Sequence, residues 1–153
     1  MNYLKLIYLS VFCGLISVLS FFNIIYSYYL NLYLNLNTYI WTFFISLFLT
    51  TFFFFIKKNN EKKISIYEKI ITILFGYFLL PLILSIPFYF SIYNLTFVNS
   101  YFEAISGFTS TGFTIFDNIN HIDQSLILWR SSSQWIGGLY FLYSIILLID
   151  IFD

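Results

Sequence analysis

The chain has 153 residues, 60% of them apolar and only 9% charged, and its seven basic and seven acidic side chains cancel. Its mean hydropathy of +0.85 lies far above that of a soluble domain, so the composition is that of a membrane protein. Balanced charge offers nucleic acid no basic surface, and the single cysteine, Cys13, rules out a disulfide framework and leaves zinc without ligands.

Residues 6–30 form the first apolar run, broken only by Ser10, Ser17, Ser20 and Asn23. It is long enough to span a bilayer and too long for a signal-peptide core, and it carries no small-residue cleavage site, so it reads as a retained helix. Asn31, Asn35 and Asn37 mark a polar turn. A second span follows over residues 39–56, completing a helical hairpin. The segment Lys57-Lys58-Asn59-Asn60-Glu61-Lys62-Lys63 is the one charge cluster. Lys and Arg accumulate in cytoplasmic loops, which places this loop and the N-terminus inside the cell. An anionic-lipid site is the sharper reading of the same lysines, and plain orientation is the preferred one.

A third span covers residues 70–93 and contains Pro81 and Pro87, both tolerated in membrane helices. The chain then emerges on the outer side near Asn94. Thr96 is positioned to cap an eleven-residue helix over residues 97–107, about 16 Å long and so half a membrane crossing. Ser100 and Glu103 have capping-box spacing, which offers a start at Tyr101 as the alternative. A half-helix must turn back. Phe97, Tyr101, Ile105 and Phe108 recur at helical spacing and predict the face that packs into neighbouring helices. The helix C-terminus, with unpaired carbonyls and the negative end of the dipole, would point toward the bilayer centre.

There the chain reads Thr109-Ser110-Thr111-Gly112-Phe113-Thr114. Irregular polar backbone survives at membrane depth only where it is buried in protein or lines a wet cavity, and ion pathways are the commonest such cavity. A threonine-rich loop with one glycine is the chemistry by which carbonyls replace the hydration shell of potassium. Gly112 is free to take positive φ and turn its neighbours' carbonyls toward an ion. Glu103, Asp117 and Asp123 are expected to raise the cation concentration at the outer mouth. His121, between the two aspartates, could serve a metal or acid–base site; a solvated loop is the preferred reading, and no nucleophile arrangement supports an enzyme.

The last span runs over residues 125–151, with Trp129 expected near the outer interface. Arg130, the single arginine, sits inside the membrane-bound region, where a charge pairs or faces water; Glu103 is the candidate partner, and snorkelling to the outer headgroups is the alternative. Gly137-Gly138 reads equally as a hinge or as a site of close helix packing.

The run from Phe102-Glu103-Ala104-Ile105-Ser106-Gly107-Phe108 through Thr114, with Leu128-Trp129-Arg130-Ser131 and Gln134-Trp135-Ile136-Gly137-Gly138, resembles the first pore unit of the Trk/Ktr potassium-transporter family, Trk-H type. The close resemblance covers about a quarter of the chain, and the rest fits by topology. It implies an all-α membrane fold: four transmembrane helices with one re-entrant half-helix and a selectivity-filter loop, a helix–pore loop–helix unit preceded by a helical hairpin. Residues 1–63 would be the hairpin and cytoplasmic lysine loop, and residues 64–153 the first pore unit.

The function implied is potassium uptake across the cytoplasmic membrane through a pseudo-fourfold pore. Ser110, Thr111, Gly112, Phe113 and Thr114 would form one quarter of the filter, with Glu103, Arg130, Gly137 and Gly138 as structural or gating positions. The implied partners are potassium ion, the bilayer, the remaining pore repeats or further copies, and a cytosolic nucleotide-binding regulatory subunit; no cofactor is expected. After Gly137-Gly138 the family continues with a small residue and an aliphatic run, whereas this chain has Leu139-Tyr140-Phe141. One loop cannot build a fourfold carbonyl cage, so the chain is expected to be the N-terminal part of a longer protein. The alternative is a small structural or accessory membrane subunit that transports nothing, against which stands a polar hairpin that a plain anchor has no reason to carry.

Overall fold

The computed structural model describes residues 4–55, 66–118 and 122–149, and every regular element among them is helical. The lysine loop and His121 lie outside the described residues. Helix α1 (Leu4–Tyr29) and helix α2 (Leu36–Phe55) form an antiparallel hairpin. Its turn passes through Asn31 at φ +58 and a single 3₁₀ turn at Tyr33–Asn35. Helix α3 (Ile66–Leu84), the short α4 (Ile86–Tyr89), α5 (Phe97–Phe108) and α6 (Gln124–Ile149) follow.

Among the described residues three stretches, Tyr8–Tyr29, Tyr33–Phe55 and Tyr67–Tyr89, are long and apolar enough to cross a membrane. The chain is a multi-pass, all-helical membrane protein. Helix α6 has the length, at 26 residues, but is not among the three. Its first half carries Arg130, Ser131, Ser132, Ser133 and Gln134, so the expected fourth span has a polar upper half.

Beside an apolar core that includes Leu9, Phe12, Ile16, Leu80, Leu84 and Leu126, many buried positions in the hairpin are small and polar. Ser17, Ser20, Asn23 and Ser27 of α1 and Thr38, Thr42 and Ser46 of α2 are buried, while Phe22, Trp41, Phe44, Phe48 and Phe55 point outward. Lipid is as apolar as leucine, so helices gain nothing by burying leucine against each other and gain contact by bringing small residues together. Several hydroxyls bond to carbonyls: Ser20 to Ile16 O at 2.9 Å, Thr42 to Thr38 O at 2.7 Å, and Ser10 across the hairpin to Thr50 O at 2.8 Å.

Helix α3 stops at Leu84 instead of running to residue 93. Proline disfavours helical geometry in the residues before it and supplies no N–H, and Pro87 falls in the first turn of α4, where its missing donor costs nothing. At this break the Leu84 carbonyl accepts the indole N–H of Trp129 at 3.0 Å. Trp129 is fully buried, a correction to its expected place at the outer interface.

Helix α5 begins where the longer sequence reading puts it, with Thr96 Oγ1 accepting the Asn99 N–H at 3.3 Å. Its packing face is a correction. Ser100, Glu103, Ala104, Gly107 and Phe108 are buried, whereas Phe97 is 54% exposed and stacks on Tyr101 on the outer side. The small residues let α5 and α6 approach: a β-carbon at Gly107 would strike the Ser133 hydroxyl, and one at Gly137 would fall on the Phe108 carbonyl. Gly138 has nothing within 4 Å of such a carbon. The two glycines thus divide the alternatives, Gly137 closing a helix contact and Gly138 facing open space.

Below them α6 continues as regular helix through Leu139-Tyr140-Phe141. The Tyr140 hydroxyl enters the notch left by Gly76 and donates toward the carbonyls of Ile73 at 3.0 Å and Thr72 at 3.4 Å. Its ring packs edge-on to Phe12 and Tyr77.

Gly137→Ala is expected to cost about 1–3 kcal/mol by overpacking. Gly138→Ala is expected to be neutral or to gain up to about 1 kcal/mol from helix propensity. Unfolding of the purified chain in mixed micelles of rising denaturing-detergent fraction measures both.

Candidate functional site

The site grows from the C-terminal end of α5. Its last turn closes with the Ser110 N–H on Gly107 O at 3.0 Å and the Thr111 N–H on Ser106 O at 3.1 Å, with Ser110 left-handed at φ +56. This is the Schellman pattern, here with serine where glycine is usual. The Thr109 N–H takes Ile105 O at 2.8 Å. The sequence reading left the helix-end carbonyls unpaired and facing the bilayer centre; the chain's own amides take three of them, a correction that passes any cation-binding role to the carbonyls beyond the helix.

Beyond the turn, Gly112 adopts φ +80 with open space where a side chain would sit. Left-handed backbone there favours glycine, and the irregular chain that follows is stitched back to α5. Ser106 Oγ donates to Phe113 O at 2.7 Å. Glu103, fully buried, receives the Thr114 hydroxyl and the Ile115 N–H on one oxygen, each at 2.6 Å. Thr114 Oγ1 in turn accepts the Phe116 N–H at 3.2 Å.

The other carboxylate oxygen lies 3.5 Å from Arg130 Nε, a buried charge pair too long and misaligned to count as a hydrogen bond. The Arg130 fork reaches the loop with Nη2, which donates to Phe113 O at 2.9 Å and to Gly112 O at 3.4 Å. Glu103 and Arg130, read from the sequence as partners, therefore meet and grip the segment 112–115 from two sides. One negative charge buried in a membrane helix bundle is costly, and the guanidinium, itself neutralised by carbonyl dipoles, offsets it.

Of the expected filter positions, Ser110, Thr111, Gly112 and Phe113 lie exposed on one face of the molecule, with Thr114 half-buried. The Phe113 carbonyl is engaged by Ser106 and Arg130 in this single unit. A cavity of about 330 Å³ under the loop is lined by Tyr77, Phe108, Thr109, Ser110, Gly137 and Gly138. A second, of about 280 Å³, lies between Gly112, Arg130, Ser131, Gln134 and the apolar Phe88 and Leu126.

The acidic outer mouth needs correction. Glu103 is buried, and Asp123 caps α6, receiving the Ser125 N–H at 3.3 Å, the Ser125 hydroxyl at 2.9 Å and Asn35 Nδ2 at 2.8 Å. Only Asp117 of the three is exposed. Sequence reading missed Asn35 and Tyr39 altogether, since an asparagine turn and an aromatic residue in an apolar run carry no signal of a buried polar network. No group of three metal-ligating side chains occurs among the described residues.

No protein-family model matches the chain. Over 131 residues, 85% of its length, it is 28% identical to an uncharacterized cation transporter of Methanocaldococcus jannaschii, of which that stretch is 27%. It is 40% identical over 60 residues to the Trk system potassium uptake protein TrkI of Halomonas elongata, 39% of this chain and 11% of that protein. It is 26% identical over 99 residues to the Trk system potassium uptake protein TrkH of Escherichia coli K12, 64% of this chain and 20% of that protein. The chain thus spans about a quarter or less of these relatives, which are transporters and not enzymes.

Arg130→Met is expected to destabilise the chain by about 3–5 kcal/mol, because it leaves Glu103 buried without its counter-charge. Combining it with Glu103→Gln should cost less than the two single losses together. A double-mutant cycle of unfolding free energies in micelles measures the coupling; strict additivity would contradict the pairing.

Proposed function

We propose that this chain, homologous to Trk system potassium uptake proteins, supplies one quarter of a potassium-selective pore. The observation that carries the reading is the Gly112 turn at φ +80 between two segments anchored on α5 and α6, which leaves residues 110–113 on an open face. Polar backbone of this kind, beside three apolar spans, matches the chemistry of carbonyl-lined ion sites.

In this reading α5 is re-entrant. Its twelve residues measure about 18 Å, short of a crossing, and it enters and leaves from the outer side. Helix α6 completes the fourth span, its polar upper half facing the pore and the loop. Residues 1–63 form the hairpin with its lysine loop and residues 64–153 the pore unit, and the lysines set the N-terminus and that loop on the cytoplasmic side.

Three more such loops, from the same polypeptide or from other copies, close the ring of carbonyls. Closure would present to a bare ion the loop carbonyls that are not engaged on α5 and α6, with Ser106 and Arg130 holding the Phe113 carbonyl from behind. The relatives' names support potassium as the ion, and the family resemblance adds the cytoplasmic membrane as the place of uptake and a cytosolic nucleotide-binding regulatory subunit as partner.

The test uses the polypeptide as its gene encodes it, expressed in bacteria stripped of their own potassium uptake. It should restore growth at low external potassium. Gly112→Asp should abolish that rescue and Gly112→Ser should lower the preference of rubidium over sodium influx, since a side chain at φ +80 is strained and blocks the carbonyl turn. Wild-type selectivity in both variants would remove the filter assignment, and absence of any rescue by the parent would favour an accessory role.

A further inference from the structure

The leading hairpin makes directional contacts with the pore unit that membrane anchoring does not require. Asn35, at its outer turn, is fully buried, and both ends of its carboxamide are used. Its Nδ2 donates to Asp123 Oδ2 at 2.8 Å, and its Oδ1 accepts the Ile92 N–H at 3.2 Å. It therefore bridges the start of α6 and the segment leading to α5.

One turn into α2, the buried Tyr39 hydroxyl lies 2.9 Å from Ser125 Oγ. Ser125 spends its one proton on Asp123 Oδ2 at 2.9 Å, so the tyrosine is the donor and the chain Tyr39–Ser125–Asp123 has a fixed direction. The Asp123 N–H donates to the Tyr93 hydroxyl at 2.8 Å, and the Tyr93 ring packs on Phe116 at 5.7 Å. The Tyr39 ring meets that of Trp129 at 5.9 Å, one residue before Arg130.

The interface between α5 and α6 rests on small residues, which permit close approach without fixing height. Arg130 sits five residues, about 7.5 Å along the axis, below Ser125, and its contact with Phe113 O is 2.9 Å. A slide of α6 by a fraction of a turn would break that contact. Trp129 and Tyr140 tie α6 to carbonyls of α3, and the polar network at its top ties it to the hairpin and to the segment before α5, on the side where the loop is held.

We infer that the hairpin, through Asn35 and Tyr39, is the buttress that holds α6 at the height where Arg130 and Glu103 grip the 112–115 loop. Asn35 and Tyr39 are positioning residues, acting through Asp123, Ser125 and Trp129. The consequence for ion selection rests on the pore reading above; the mechanical coupling stands without it.

Hydrogen exchange of the purified chain in lipid nanodiscs tests the coupling with no ion readout, so failure of the pore reading does not touch it. The Ile115 and Phe116 amides, bonded to Glu103 and Thr114, should be protected in the parent. Asn35→Leu should speed their exchange about tenfold while the 72–77 segment beside Tyr140 keeps its parental rate. The swapped pair, Asn35→Asp with Asp123→Asn, restores a donor facing a carboxylate but gives up the acceptor of the Ser125 hydroxyl, and should return part of the protection that Asn35→Leu loses. Tyr39→Phe, which removes one hydroxyl, should produce the same local loosening in smaller measure, and serves where Asn35→Leu is not recovered folded. Unchanged exchange at 115–116 or equal acceleration in the 72–77 segment would each overturn the inference.

Discussion

A single buried carboxylate organises the upper half of this molecule. Glu103 gives one oxygen to the Thr114 hydroxyl and the Ile115 amide and turns the other to Arg130. Its position follows from the Thr96 cap, which fixes the start of α5 and hence which side of the helix residue 103 occupies. Without Arg130 the charge would be untenable at this depth, and without Glu103 the guanidinium would stand among carbonyls alone. The loop conformation is the arrangement in which both charges find partners at once.

That arrangement needs α5 and α6 to lie unusually close, and the sequence provides the closeness with missing atoms. Gly107 admits Ser133, and Gly137 admits the Phe108 carbonyl. The same logic holds in the hairpin, where Ser17, Ser20, Thr38, Thr42 and Ser46 face inward and most phenylalanines, Phe12 and Phe53 excepted, face out. A solvent of hydrocarbon reverses the usual sorting, because apolar bulk is at home outside and contact area inside depends on small side chains. Directional hydrogen bonds then supply what packing of small residues lacks, a defined height and register between helices.

Much of this was legible in the residues. The hairpin, the Thr96 start of α5 and the pairing of Glu103 with Arg130 follow from hydropathy, capping chemistry and the rarity of charge in a membrane segment. The legible part was what local rules govern. What failed depends on which neighbour a side chain meets. The aromatic period Phe97, Tyr101, Ile105, Phe108 predicts one buried face, and the structure buries Phe108, half-buries Tyr101 and Ile105 and turns Phe97 outward. Trp129 looked like an interface residue, yet the helix break at Ser85 leaves a carbonyl for its indole that sequence does not announce. Asp123 looked like a mouth charge and is a helix cap tied to Asn35, a residue 88 positions away. Ser110 in left-handed geometry replaces an expected glycine and could not be read from composition.

The account stands or falls on where the 109–113 segment lies. The direct measurement is thiol accessibility at Phe113→Cys in intact cells expressing the encoded protein, with the native Cys13 buried in α1. The account predicts modification from outside by a small cationic thiol reagent, slowed by potassium, and no reaction with a polymer-coupled maleimide. Free labelling by the polymer, at a rate indifferent to potassium, would show that the segment lies on the external surface and would contradict it.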